Sequence, residues 1–173
     1  MKKLRFLLLD ANVIIKLFEL KLWEQVIERC EIFIAETVAN EAQFFHDDVG
    51  QEAIDLSAYS TANKINVVSL TASDVAEFRD RFTPDYMERI DPGEAEALAY
   101  LLGSKDPCLL CSADAIVFRI LGRLSCGEQG ISLEEILQRT GLSTTVPIQY
   151  RRAFRDHWTK VGQQDMIRNV GLK

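Results

Sequence analysis

The sequence predicts an α/β protein: a parallel sheet between helical layers, continued by a helical C-terminal extension. Three observations predict it. The run LRFLLL at residues 4–9 is apolar almost throughout, the pattern of a strand covered on both faces by helices rather than on one. Strand-like and helix-like segments then alternate with short connections, the order that gives parallel sheets. The chain of 173 residues is long enough for one domain with a sizeable core.

Each element has its own signal. The first strand covers 4–10 and leads into helical patterning over about 12–29, interrupted near Leu20–Leu22. CEIFIAE reads as a second strand, TVANEAQFF as a helix, QEAIDLSAYSTANK as another helix and INVVSL as a third strand. Thr71 and Asp74 mark the capped start of a helix through TASDVAEFRDRF. In DPGEAEALAYLLG, Asp91 serves as cap, Pro92 sits at the start and Gly103 at the end, the asymmetry helices favour. PCLLCS is a fourth buried strand and ADAIVFRILGRL a helix. RLSCGEQG offers at best the stub of a fifth strand, and the remainder is helical, with a core stripe expected from Ile148, Phe154 and Trp158.

Net charge is −6, but its distribution says more than its sum. Residues 1–114 hold 11 Lys/Arg against 21 Asp/Glu, whereas residues 115–173 hold nine against five. An acidic body with a basic tail fits either a polyanion-binding surface or two solvated faces. The opening MKKLRFLLLD is basic like a signal peptide, yet its apolar run is too short and lacks a cleavage site. No segment has the length of a membrane span, so a cytoplasmic protein without membrane contact is expected. Cys30, Cys108, Cys111 and Cys126 form no disulfide framework, and the single CxxC (CLLC) lies on a strand, so buried thiols are expected. FFHDD at 44–48 has no second ligand at suitable spacing, and both histidines read as surface or packing residues.

The acids carry the chemistry. Asp10 ends the first strand, where a carboxylate is costly to bury unless it caps a helix or belongs to a site. Glu36 follows the second strand and Glu41 lies in the ensuing helix; Glu94 and Glu96 occupy the first turns of GEAEALAY; Asp114 follows the fourth strand. With right-handed crossovers all of these fall at the C-terminal edge of the sheet, where open α/β sheets bind ligands. Carboxylates gathered there repel unless cations sit among them, and without a histidine or cysteine the suitable cations are hard: Mg²⁺ or Mn²⁺.

LLLDANVII, AETVANEA, GEAEALAY and CSADAIVFR, in that order, resemble the motifs of the PIN-domain ribonucleases, a family that includes the VapC toxins. The resemblance covers roughly residues 4–124 and implies a three-layer α/β/α sandwich, with 1–124 as a PIN-like nuclease domain and 125–173 as a helical extension packed on it. It implies a Mg²⁺- or Mn²⁺-dependent endoribonuclease in which Asp10, Glu41, Glu94 and Asp114 are the catalytic acids. Asp10, Glu94 and Asp114 would hold metal, Glu41 would steady it, and Asn12 and Ser112 would support. Within that set Glu36 competes with Glu41 and Glu96 with Glu94, and the GE pattern favours Glu94. Glu36 reads more simply as an acid placed favourably at a helix N-terminus, and Asn12 reads nearly as well as a cap for the first helix. The implied partners are an RNA substrate, an antitoxin protein and a second copy of the chain. The extension departs from the family pattern; its Arg151, Arg152, Arg155, His157 and Lys160 either grip RNA phosphates or form a solvated helix face.

Three other readings compete. A haloacid-dehalogenase-like phosphatase needs a second Asp where Asn12 stands, and a nucleotide-binding regulator needs a glycine-rich loop after the first strand. The third is a PIN-like binding or scaffold module without turnover.

Overall fold

The computed structural model describes residues 4–173. Along the chain the elements are β1 (Leu4–Leu9), α1 (Ala11–Glu19), α2 (Trp23–Arg29), β2 (Cys30–Ala35), α3 (Glu36–Glu41), β3 (Phe44–His46), β4 (Gln51–Ala53), α4 (Leu56–Thr61), β5 (Asn66–Val68), α5 (Ala72–Asp80), α6 (Pro84–Met87), α7 (Pro92–Gly103), β6 (Leu109–Cys111), α8 (Ala115–Arg123), β7 (Gly130–Ile131), α9 (Leu133–Arg139) and α10 (Arg152–Ile167). Five strands form one sheet in the order β5-β2-β1-β6-β7, and every pairing in it is parallel. The fold is therefore α/β with a central parallel sheet.

That order fixes where a ligand can sit. From β1 the chain winds outward through β2 to β5, then crosses back to β6 on the other side of β1 and continues to β7. The direction of winding reverses between β1 and β6, so the loops leaving those two strands diverge and open a crevice at their carboxyl ends. Asp10 N–H donates to the Cys111 carbonyl at 3.0 Å, which keeps the two strand ends together just below that crevice. Leu8 and Leu9 of β1 are fully buried, as are Ile32 and Ile34 of β2, consistent with helices covering the sheet.

Local chemistry explains most boundaries. The helical pattern breaks at Leu20–Leu22, where Lys21 adopts φ 57° between α1 and α2. Thr71 and Asp74 form a reciprocal capping box at α5, and Asp91 and Glu94 form another at α7. Two expected helices are shorter than their patterns. α3 stops at Glu41, because residues 44–46 and 51–53 pair as an antiparallel hairpin in which Phe45 stacks on Phe18 of α1. The segment from Gln51 then enters a helix only at Leu56, once Asp55 accepts the Ala58 N–H as cap. The fifth strand of the sheet is the two-residue β7.

The extension is built into the same core. α10 crosses α8 backbone to backbone: a Cβ on Gly162 would lie 1.9 Å from the Arg119 carbonyl oxygen, and one on Gly122 would lie 2.1 Å from that of Thr159. Asp165 of α10 accepts from Arg119 Nε of α8 and from the Tyr86 hydroxyl of α6. The chain end then returns to bridge Leu172 with Phe82. One expectation fails here. Ile148 does not join Phe154 and Trp158 in a core stripe but is 69% exposed, because Pro147 starts a tight turn that buries Tyr150 instead. Among the described residues no helix is long and apolar enough to cross a membrane.

Candidate functional site

Three helix N-termini face the crevice, and each presents an acid. Asp10, at the end of β1, is the N-cap of α1: its Oδ1 accepts from Ala11 N–H at 2.7 Å and its Oδ2 from the Ser112 hydroxyl at 3.1 Å. Asp114, after β6, caps α8 by accepting from Ile116 N–H through Oδ1, and its own N–H donates to Ser112 Oγ. Glu94 is the third residue of α7; its Oε2 accepts from Asp91 N–H while Asp91 Oδ1 accepts from Glu94 N–H. Ser112 thus links the two strand-end aspartates through one hydroxyl. The fourth acid, Glu41 at the end of α3, lies over the first turn of α7: a Cβ on Gly93 would come within 3.0 Å of its Oε2.

Capping alone does not account for this arrangement. Caps ordinarily stand at the surface, whereas Asp10 and Glu94 are only 4% and 3% exposed. Burial pushes the Asp10 carboxyl up to about 6, with Asp91 and Asp114 adding to the shift against the opposing bonds from Ala11 and Ser112. Burial pushes Glu94 up to about 9, and the charges of Asp114, Asp91 and Asp10 add to it. Glu41 is raised too, first by burial and then by Asp91. These mutual effects place Asp10, Glu41, Asp91, Glu94 and Asp114 in one electrostatic neighbourhood. Among the described residues, none of them forms an ion pair with a lysine or arginine.

The carboxylates are near one another, but Asp10, Glu94 and Asp114 are each turned toward their own helix and Glu41 toward the first turn of α7. Among the described residues, no three Asp, Glu, His or Cys side chains stand as a group that could hold a metal ion. The caps explain this: hydrogen bonds hold Oε2 of Glu94 on Asp91, Oδ1 of Asp114 on Ile116, and both oxygens of Asp10. The donor set nevertheless suits a hard cation: it is all oxygen, and its two buried members, Asp10 and Glu94, are shifted toward protonation first by burial and then by neighbouring acids.

The other sequence candidates fall elsewhere. Asn12 is exposed in the first turn of α1 and is not its cap; that role belongs to Asp10. Glu36 is exposed at the start of α3 and lines a groove with Asn40, Phe44 and Leu56, away from the crevice. Arg155 is held by Glu135 through Nε at 2.8 Å and Nη2 at 2.9 Å, with its side chain only 14% exposed. Arg151 donates through Nε to the Val146 carbonyl. Arg152 is 66% exposed and within 3.5 Å of Asp156. Tyr150, which no sequence signal singled out, donates from its hydroxyl to the Asn12 carbonyl at 3.3 Å and so joins the extension to the first turn of α1.

The fold and this crevice define a parallel α/β protein with buried acids at its switch point. No protein-family model matches the chain, and no curated protein matches it.

Proposed function

We propose that the protein is a metal-dependent endoribonuclease with a PIN-like three-layer sandwich, hydrolysing RNA phosphodiester bonds at the crevice between β1 and β6. One observation carries the reading: two almost fully buried carboxylates, Asp10 and Glu94, share the crevice with Asp91 and Asp114, and no basic side chain among the described residues pairs with them. Buried carboxyl groups without a cationic partner are expensive to ionise, and sites that keep them are commonly functional. Asp10, Glu94 and Asp114 would hold Mg²⁺ or Mn²⁺, and Glu41 would steady it from α3. When bound, the cation supplies a water acidic enough to act as nucleophile and offsets charge on the phosphate. Ser112 orients Asp10 against Asp114, and the three helix N-termini favour the phosphate's negative charge.

The caps support a second reading, a PIN-like binding module without turnover, because Asp10, Glu94 and Asp114 each have structural work at a helix N-terminus. Incubating total RNA with Mg²⁺, Mn²⁺ or EDTA, beside Asp10→Asn, separates the two. The nuclease cleaves with either metal, stops with EDTA and with Asp10→Asn, and leaves 5′-phosphate and 3′-hydroxyl ends. Absence of metal-dependent cleavage selects the binding module, and 2′,3′-cyclic phosphate ends exclude attack by water. A role as the toxin of a toxin–antitoxin pair belongs to the same proposal, supported by the motif resemblance alone.

A further inference from the structure

We infer that Glu96 is a positioning residue that sets the spacing between the two acid-bearing helices α3 and α7; the inference rests on the metal-site reading above. Glu96 follows Glu94 by two residues on α7 and is 6% exposed, yet its carboxylate does not enter the acid cluster. Its Oε2 accepts the Thr37 N–H of α3 at 2.9 Å, and its Oε1 accepts the Leu70 N–H, just after β5, at 3.2 Å. One carboxylate thereby ties α7 to two separate connections at the carboxyl edge of the sheet.

The bond to Thr37 has a specific cause. The first N–H groups of a helix lack partners within the helix, and the residue before it usually supplies one. At α3 that residue is Ala35, which has no side-chain acceptor. Glu96 provides the missing cap from another helix. α3 is only six residues, about 9 Å long, so holding its first turn also fixes its last residue, Glu41. At the far end the gap is set by Gly93, where a Cβ would come within 3.0 Å of both Glu41 Oε2 and Val38 Cγ2. Glu96 at one end and Gly93 at the other therefore determine how far the Glu41 carboxylate stands from Asp91 and Glu94.

The test compares Glu96→Gln and Glu96→Ala with wild type and with Glu36→Gln, an exposed acid on the same helix end that faces away from the crevice. Mn²⁺ affinity is read by calorimetry well below each melting temperature, and amide exchange along α3 is read without metal. Glu96→Ala should weaken Mn²⁺ about tenfold, no more than the low end of what loss of a partner bonded directly to a metal ligand does, because Glu96 reaches Glu41 only through α3. Glu96→Gln keeps the shape but presents an NH₂ to one of the two amides, so a smaller loss is expected. Amides of α3 through Glu41 should exchange faster in both, and Glu36→Gln should match wild type. A purely structural Glu96 would lower the melting temperature while Mn²⁺ affinity in the folded protein stays unchanged, and that result overturns the inference. Unchanged exchange along α3 overturns it as well. Wild type that takes up no Mn²⁺ at all refutes the metal-site reading itself, and the exchange arm then decides the bracket alone.

Discussion

Buried carboxylates occur in two regions of this molecule under opposite conditions. Beneath the extension, Asp165 and Glu135 are 6% and 7% exposed; in the crevice, Asp10 and Glu94 are 4% and 3% exposed. Burial raises all four. For Asp165 the bonds from Arg119 and Tyr86 overcome it, and for Glu135 those from Arg155 and Ser132 do, so both end below their ordinary range. Asp10 and Glu94 have only backbone and hydroxyl donors, face other acids, and end far above it. Equal burial with opposite outcome teaches what each region needs. The extension carries its own cations; among the described residues the crevice acids pair with none, and under the proposed function a bound cation would fill that role.

The largest expected effect lies beneath the extension. Asp165→Ala strands Arg119 in a mostly buried position and should cost about 3–5 kcal/mol in urea unfolding. Glu94→Gln, at a more buried site, should leave the metal-free protein as stable or more so. Equal losses in the two variants would erase the distinction between the regions.

Next comes the response to metal. Mn²⁺ at about a hundred times its dissociation constant should stabilise wild type by roughly 2.7 kcal/mol, because it binds the folded state alone. Asp114→Asn should remove most of that gain in a thermal melt while leaving the metal-free melting temperature unchanged or higher. A badly destabilised metal-free Asp114→Asn would assign Asp114 to capping only.

The two regions should also titrate in opposite senses. Asp10 moves from 3.8 to about 6 and Glu94 from 4.5 to about 9, so the folded state binds more protons than the unfolded one in those intervals. Stability in EDTA should then fall as pH rises through the intervals, by up to about 1.4 kcal/mol per pH unit for each carboxyl. Asp165 and Glu135, being lowered, contribute stability at neutral pH that is lost on acidification. Denaturant midpoints from acid to pH 9 check both limbs, and Glu94→Gln should flatten the alkaline one while leaving the acid limb in place.

The smallest effect concerns nucleic acid. Arg155 is committed to Glu135, so the exposed Arg152 and Lys160 are the better tests of the tail. Changing both to Gln should reduce the salt slope of single-stranded RNA binding by about 1.4, for two lost phosphate contacts. An unchanged slope would leave this helix to packing.

Much of the fold was legible because its signals are local. The α1–α2 break, the capped helix starts at Thr71 and Asp91, and the doubly apolar β1 each lie within a few neighbouring residues. The hairpin at 44–53 was not, since two three-residue strands carry too little alternation to outweigh a helical pattern. In the site, the placement of the acids at one sheet edge followed from β-α order alone. Their orientation did not: whether a carboxylate faces a cation or its own helix depends on amides such as Asp91 N–H and Ile116 N–H. Glu96 was legible as an edge acid, but its tie to α3 was not, because its partners, Thr37 and Leu70, are 59 and 26 residues away.

The glycine crossing of α8 and α10 has a mechanical meaning for the crevice. α8 is nine residues, about 13 Å of stiff rod, with Asp114 capping one end and Gly122 near the other. Where helices meet through long side chains, rotamer changes absorb small shifts. At Gly122 and Gly162 main chain rests on main chain, and nothing there can yield. The joint acts as a keyed shaft: sliding or twisting of α10 would be passed to α8, and through it to Asp114. The tolerance of the acid cluster to displacement is therefore inherited by a pair of glycines at the opposite end of the helix.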